Sequence, residues 1–481
     1  MFDTIVTGND LSSLIAALAT MRKGRKTLLL REGNIPDFCS DSGYTFNIDP
    51  FPWTGLGPGG RFRQLLSDMD IPFIDQSTIY PLDPAFQIIF PEHRVDLFSD
   101  IGLQLQEIKR EFSIDVERVK TFYESVFSNE KLIANLIDEK PYIRPETTLE
   151  HLKSIFNIPA LMWHKTDLSK RFQPVKQHPF LKNIFDAEAL LLSNLRKDDP
   201  PPLSFAYILA LLMDKFYYQI GGKHHLIEAI ERKFVDMGGV VIKGCSIIRL
   251  NMAEQIKADV IINEEAFEIN SNDVIISTKW EKFKPFVLDD KRFIKFREKY
   301  MSVEKSYFPF TIHMGLCDKG IPERMAEYVV IIAEEKKPLT NGNLVFLEMS
   351  VREDTGRAPS GKRAMSASVF LEDSPLRLGD DELKEISKNI LRNVEDFLPF
   401  FEENLDFINI DKSIETSRKY QEVLNQKYTE KKNSILGISL LSNTTPVKNV
   451  FLTGGMIFAG LGFEGEIISG LNAANLALGE G

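Results

Sequence analysis

The opening of the chain carries the clearest alternation of apolar and turn positions. Residues 2–7 form a short apolar strand that meets a turn at Gly8, and an apolar helical run follows from Leu11 to Met21. Arg22–Lys26 lead through a turn at Gly24 into a second strand, Thr27–Leu30. This β-turn-α-turn-β order is the first half of a nucleotide-binding unit. Residues 33–62 are rich in Gly, Pro and Asp and give few helical signals. Helices are predicted over residues 60–70 and through much of residues 100–212, with a boundary near Pro200–Pro202. A helix over Lys223–Met237, ended by Gly238 and Gly239, opens a β-rich segment. Its strand pieces are Val240–Ile242, Ile247–Leu250, Val260–Ile262, Ala266–Ile269 and Val274–Ile276. Further strands are predicted at Phe308–Gly315, Tyr328–Ile332, Leu344–Ser350 and Met365–Phe370, and a long helix at Asp381–Phe397. The last segment reads as a strand, Val450–Thr453, a glycine-rich turn and a helix from Gly465 to Leu478.

Composition narrows the function classes. The 481 residues are 43% hydrophobic and carry a formal net charge of -11, which argues against a general nucleic-acid role. Three widely spaced cysteines, Cys39, Cys245 and Cys317, match no metal pattern and imply no disulfide framework. The first residues read as a strand and not as a secretory leader. No stretch has the apolar length needed to span a bilayer; Leu203–Met213 comes closest and reads as a buried helix. A cytoplasmic protein is expected, with reversible contact at a membrane surface left open. The 35 phenylalanines have two readings, a Phe-rich core or a wide aromatic-lined cavity for a long apolar ligand.

Three passages taken together carry a resemblance. They are "DTIVTGNDLSSLIAALATMRKGRKTLLLRE" from Asp3, "GGKHHLIEAIERKFVDMGGVVIKGCSIIRL" from Gly221 leading to "DVIISTKW", and "VKNVFLTGGMIFAGLGFEGEIISGLNAANLAL" from Val447. In order and spacing the chain resembles the phytoene desaturase and carotenoid isomerase branch of the FAD-dependent amine-oxidase-like superfamily. The resemblance implies an α/β protein with an FAD/NAD(P)-binding, Rossmann-like domain assembled from residues 1–95, 215–285 and 421–481. Residues 96–214 and 286–420 would form a mixed α+β cap that receives the substrate. It also implies hydride transfer between an apolar isoprenoid-like substrate and flavin, with FAD extended along the N-terminus of the first helix. No catalytic acid or base is identifiable in the sequence.

Carried over residue by residue, the implied cofactor contacts are Gly8, Asn9, Asp10, Leu11, Ser12 and Ser13 in the first turn, and Arg31 and Glu32 after the second strand. Ile247 joins them from the β-rich segment, and Gly454, Gly455, Gly460, Gly462 and Gly465 from the last. Several depart from the family pattern. Asp10 and Ser13 stand where glycines are usual, Arg31 replaces the ribose-binding acid, and Gly455 replaces the aspartate of a Gly-Asp pair. An ionised Asp10 about 4 Å from a phosphate charge would cost roughly 4 kcal/mol at an effective dielectric near 20. Asp10 also suits a helix N-cap. Two other readings stay open: a cofactor-less lipid- or protein-binding member of the fold, and an NAD(P) enzyme in which Arg31 meets a 2′-phosphate. With no FAD bound, Asp10 and Arg31 are expected to compensate each other across adjacent strand ends. An apolar interdomain cavity follows if Phe205, Tyr207, Ile208, Leu211 and Leu212 line space rather than fill it.

Overall fold

The computed structural model describes residues 1–33, 37–72, 79–112, 114–139, 166, 168–173, 175–196, 201–279, 291–421, 424, 426–430 and 438–479. Its first sheet has six strands, built from both ends of the chain and the segment between. Strand β1 (Phe2–Thr7) pairs in parallel with β2 (Thr27–Glu32) on one side. On the other side it pairs in parallel with the end of β5 (Glu265–Ser277). The start of β3 (Val240–Met252) lies parallel to β2, and β6 (Val450–Thr453) lies parallel to β5. The far halves of β3 and β5 leave this parallel layer and flank the antiparallel β4 (Ile256–Ile262). Two expectations are thereby corrected. Val240–Ile242 and Ile247–Leu250 are one continuous strand, as are Ala266–Ile269 and Val274–Ile276. These strands change partners midway, so polar residues such as Lys243 interrupt the apolar pattern without breaking the backbone. The final strand β6 neighbours β5, which separates it from β1.

Helix α1 (Leu11–Arg22) connects β1 to β2, and Ser12–Thr20 are buried along its whole girth. That explains its weak amphipathicity, since a helix covered on every side needs no polar face. Helix α2 (His224–Asp236) instead buries Leu226, Ile230 and Phe234 at four-residue intervals and leaves its other face to solvent. Helix α3 (Gly462–Ala477) crosses α1 closely. A Cβ on Gly470 would stand 2.6 Å from the Ser12 carbonyl oxygen, so only glycine permits this approach.

The second sheet has eight strands. Along its main path run Leu405–Ile408, Val303–Cys317, Lys362–Leu371, Leu344–Met349, Tyr328–Ile332, Phe86–Ile89 and Arg94–Leu97. Lys427–Glu430 adds to the start of Val303–Cys317. Residues 86–97 and 427–430 therefore join this sheet, although the expected division put residues 86–95 and 427–430 in the nucleotide-binding part. The expected apolar cavity is also corrected at its named residues. Phe205, Tyr207, Ile208, Leu211 and Leu212 lie on the helix Pro202–Leu212 and are at most 6% exposed within the main core. They fill space and do not line it. The boundary expected near residue 200 falls at a residue outside those described; Pro201 precedes that helix directly.

A buried polar network links the second sheet to the segment that leads into α2. The Arg357 guanidinium faces the Glu348 carboxylate in a pair whose members are each 1% exposed. Asn47 Nδ2 donates to Glu348 Oε1 at 3.2 Å, and Lys223 N donates to Asn47 Oδ1 at 3.0 Å. Tyr218 Oη and Gly221 N both donate to Asp354 Oδ2, at 2.6 and 2.8 Å. Glu348→Ala is expected to cost about 3–5 kcal/mol, because it strands the Arg357 charge in the interior. The double change Glu348→Leu/Arg357→Met should cost clearly less than that. Chemical denaturation of both variants checks the difference.

Candidate functional site

The C-terminal ends of β1, β2 and β5 share one edge of the parallel layer, and α1 and α3 both begin there. In open parallel sheets this edge is where ligands bind. A groove of about 710 Å³, open to solvent, runs along it. Asn9, Asp10 and Leu11 form one wall and Phe463 and Glu466 another, with Asp37, Asp49, Trp53, Lys223 and Lys279 between. A recess of about 380 Å³ adjoins it through Asn47, Trp53 and Lys223, and Tyr217, Tyr218, Tyr328, Glu348 and Arg357 also face this recess. Trp53 and Phe463 stack at 5.3 Å on the groove wall.

Asp10 is the N-cap of α1 and accepts from Ser13 N at 3.1 Å and from the Ser13 hydroxyl. Its other oxygen accepts from Ser277 Oγ at 2.7 Å. The carboxylate thus occupies an end of α1 that would otherwise attract an anion. Gly8, at φ +150°, keeps the tight turn, and a Cβ there would lie 2.2 Å from Ser13 Oγ. Ser13 therefore fills the space above Gly8. Ser12 lies under α3, and its hydroxyl has no partner among the described residues.

Arg31 and Asp10 do not compensate each other, which corrects that expectation. Arg31 Nη1 pairs with Glu231 Oε2 at 2.9 Å, and Nη2 lies 3.5 Å from Asp37 Oδ1 and donates to the Asn9 carbonyl at 3.2 Å. Carboxylates nearer than Asp10 have claimed the guanidinium. A 2′-phosphate would have to displace them, so the NAD(P) reading loses the residue that motivated it. Burial raises the Asp37 carboxyl above its usual range, although Arg31 pulls it down. Glu32 turns toward β3, where its Oε1 accepts from Ile247 N at 2.8 Å. Neither Glu32 nor Ile247 is among the residues lining the groove.

The glycines of the last segment divide into two groups. Gly460, Gly462 and Gly465, implied as cofactor contacts by the resemblance, are not among the residues lining the groove. The Gly460 carbonyl accepts from Ser204 Oγ at 2.6 Å. Cβ atoms on Gly462 and Gly465 would collide with the Leu192 and Phe458 carbonyl oxygens, at 1.7 and 2.2 Å. These glycines permit close backbone packing. Gly454 and Gly455 instead lie against residues that line the groove, Asp10, Lys279 and Glu466. A Cβ on Gly455 would stand 2.9 Å from Glu466 Oε1 and 3.5 Å from Lys279 Cε. The acid missing at position 455 is returned next to it by Glu466.

Three residues absent from the sequence candidates matter most. Lys279 Nζ pairs with Glu466 Oε1 at 2.8 Å, with both side chains 8% exposed. Burial would lower the Lys279 ammonium, but Glu466 and Asp10 outweigh it and hold it above the usual lysine range. Lys223 Nζ donates to the Asp49 and Phe51 carbonyls and lies 5.3 Å from the Trp53 ring centre; burial lowers its pKa. The usable signal was positional. A residue just after the parallel strand β5 must emerge at the same edge as Gly8.

The groove can be tested for FAD on this chain's own atoms. It lies at the starts of two helices, beside the glycine pair and a buried ammonium. Thr278 Oγ1 is buried without a partner among the described residues, 2.5 Å from where a Gly454 Cβ would stand. These features fit a dinucleotide in placement. Asp10 is the charge it must accommodate.

No family model matches the chain. In sequence it is similar to the chloroplastic prolycopene isomerase of Arabidopsis thaliana, 21% identical over 99% of this chain and 82% of that protein. The 4,4′-diapolycopen-4-al dehydrogenase of Metabacillus indicus is 22% identical over 78% of this chain and 77% of its own length. The chain is similar to the phytoene desaturase and carotenoid isomerase branch. Among solved structures, a putrescine oxidase bound to putrescine superposes with a TM-score of 0.63 at 13% identity, covering 98% of each chain. Rab GDI from Plasmodium falciparum superposes at 0.54 and 13% identity, covering 99% of this chain and 98% of that one. These likenesses show the fold: α/β, with a Rossmann-like nucleotide-binding part and a second sheet beside it.

The first turn of α3 supplies a pH test. Glu464 is buried against Tyr207 Oη and the glycine turn at Gly55, and burial pushes its carboxyl up to about 7, although Tyr207 and Arg61 pull it down. Asp214 nearby is pushed up to about 6, again by burial first. The folded protein therefore holds protons that the unfolded chain releases, so stability falls as pH rises through this window and is fully present below it. Unfolding free energy should decline between about pH 4.5 and 7. Glu464→Gln should flatten the upper part of that decline, as read by denaturation at several pH values.

Proposed function

We propose that the protein is an FAD-dependent oxidoreductase-like protein that moves a hydride between an apolar, isoprenoid-like substrate and flavin. The single observation that carries this reading is the groove at the shared edge of β1, β5, α1 and α3, on a fold whose sequence relatives are named for lycopene-type polyenes. FAD, when bound, supplies the redox chemistry. The chain's own residues bind and orient. The Gly8–Leu11 turn and Gly454 hold the dinucleotide, and Trp53 and Phe463 wall the groove. Lys223 stands where groove and recess meet. Residues of the first sheet carry the nucleotide, while the second sheet and the helices between residues 101 and 212 form the cap. The aromatic recess receives the reacting end of the substrate. No described helix is long and apolar enough to cross a membrane. An apolar substrate of this length reaches the cap from a carrier or by peripheral contact with a bilayer.

A second reading has a specific observation behind it. Asp10 caps α1 from within the protein, and Arg31 is held by Glu231 and Asp37, so the chain can complete its own groove without a nucleotide. In that case the protein binds a lipid or another protein on the same fold.

Flavin released from the purified protein, identified by its visible spectrum and by mass analysis, separates the two readings. Asp10→Gly removes a repulsion of roughly 4 kcal/mol, so flavin affinity should rise by up to about a thousandfold. Failure of both wild type and Asp10→Gly to take up flavin would reject the oxidoreductase reading. Titration with prenyl lipids should then show saturable binding.

A further inference from the structure

The groove contains four carboxylates, Asp10, Asp37, Asp49 and Glu466, against two ammonium groups, Lys223 and Lys279. A dinucleotide adds further negative charge, so some cation must meet it. The usual source is the N–H groups at the start of α1, where Asp10 accepts from Ser13 N and sets its own negative charge. Lys223 is committed to two backbone carbonyls. Arg31 is committed to Glu231 and Asp37. Lys279 differs from both. Among the described residues its ammonium is bonded to Glu466 alone, which occupies one of three N–H donors.

Its surroundings are built to leave room. Gly454 and Gly455 present no side chains to it, and a Cβ on Gly455 would stand 2.9 Å from Glu466 Oε1, the ammonium's partner. The neighbouring Thr278 is 2% exposed, its hydroxyl has no partner among the described residues, and it lies 2.5 Å from where a Gly454 Cβ would stand. A buried ion pair is a weak source of stability, since apolar residues of similar size often serve as well. The pair on the groove wall therefore calls for an explanation beyond packing.

We propose that Lys279 is the anion-binding residue of this groove, its ammonium taking a phosphate of the bound dinucleotide and offsetting Asp10 at the start of α1. Glu466 keeps the ammonium charged and in place, and the Thr278 hydroxyl adds a donor beside it. The inference rests on the flavin reading above and adds the residue that makes it compatible with Asp10.

The test is titration with FAD and, separately, with riboflavin, which lacks phosphate, read by flavin fluorescence. Wild type, Lys279→Arg, Lys279→Met and the double variant Lys279→Met/Glu466→Gln are compared at low and raised salt. The double variant removes both buried charges together, so its fold is kept, and thermal melting checks this. Both methionine variants should weaken FAD binding by about tenfold or more, a loss typical of one charge-assisted contact. They should lose part of its salt dependence and leave riboflavin binding unchanged, while Lys279→Arg retains FAD. A folded double variant that binds FAD as wild type does would overturn the proposal. So would equal losses for FAD and riboflavin, which would make Lys279 a packing residue. If neither wild type nor Asp10→Gly binds either flavin, the flavin reading itself falls and takes the proposal with it.

Discussion

A charge taken out of water must be met by another charge or by hydrogen bonds, and this constraint organises the protein. Arg357 and Glu348 meet it inside the second part, behind the recess. Arg31, Glu231 and Asp37 meet it at one end of the groove, and Lys279 and Glu466 at the other. Asp10 meets it with two serines, one on α1 and one on β5. The three sets at the groove link segments distant in sequence, so the charges that shape the groove also hold its walls in register. Replacing one member alone exposes its partner, whereas replacing a pair leaves a packed interior.

The fold was legible because its first unit follows simple rules. The apolar strand, the Gly8 turn, the buried helix and the second strand appear in the sequence as they do in space. Helix α2 was readable from Leu226, Ile230 and Phe234. The long strands β3 and β5 were not, because each serves two partners and carries two burial patterns along one backbone. Phe205 and Tyr207 showed that the helix is buried without showing whether it lines a space or fills it.

The site was legible only where it is local. Asp10 as an N-cap needs just the residues that follow it. The partner of Arg31 lies 200 positions away, so nothing in its neighbourhood announced Glu231. The same holds for Glu466, which restores an acid beside Gly455 from a later turn of the chain. Read position by position, the motif looks broken at Asp10, Arg31 and Gly455. In three dimensions one of these losses is refilled, one is capped, and one is enclosed by carboxylates.

The central claim is that the groove between α1 and α3 is a dinucleotide site in which Lys279, and not the capped helix start, meets the phosphates. An experimental structure of the protein crystallised with FAD tests it most directly. The account predicts density along the groove, with a phosphate oxygen within hydrogen-bond distance of Lys279 Nζ and Asp10 still bonded to Ser13 and Ser277. A groove that stays empty at saturating FAD, or a diphosphate seated elsewhere with Lys279 still paired only to Glu466, would contradict it.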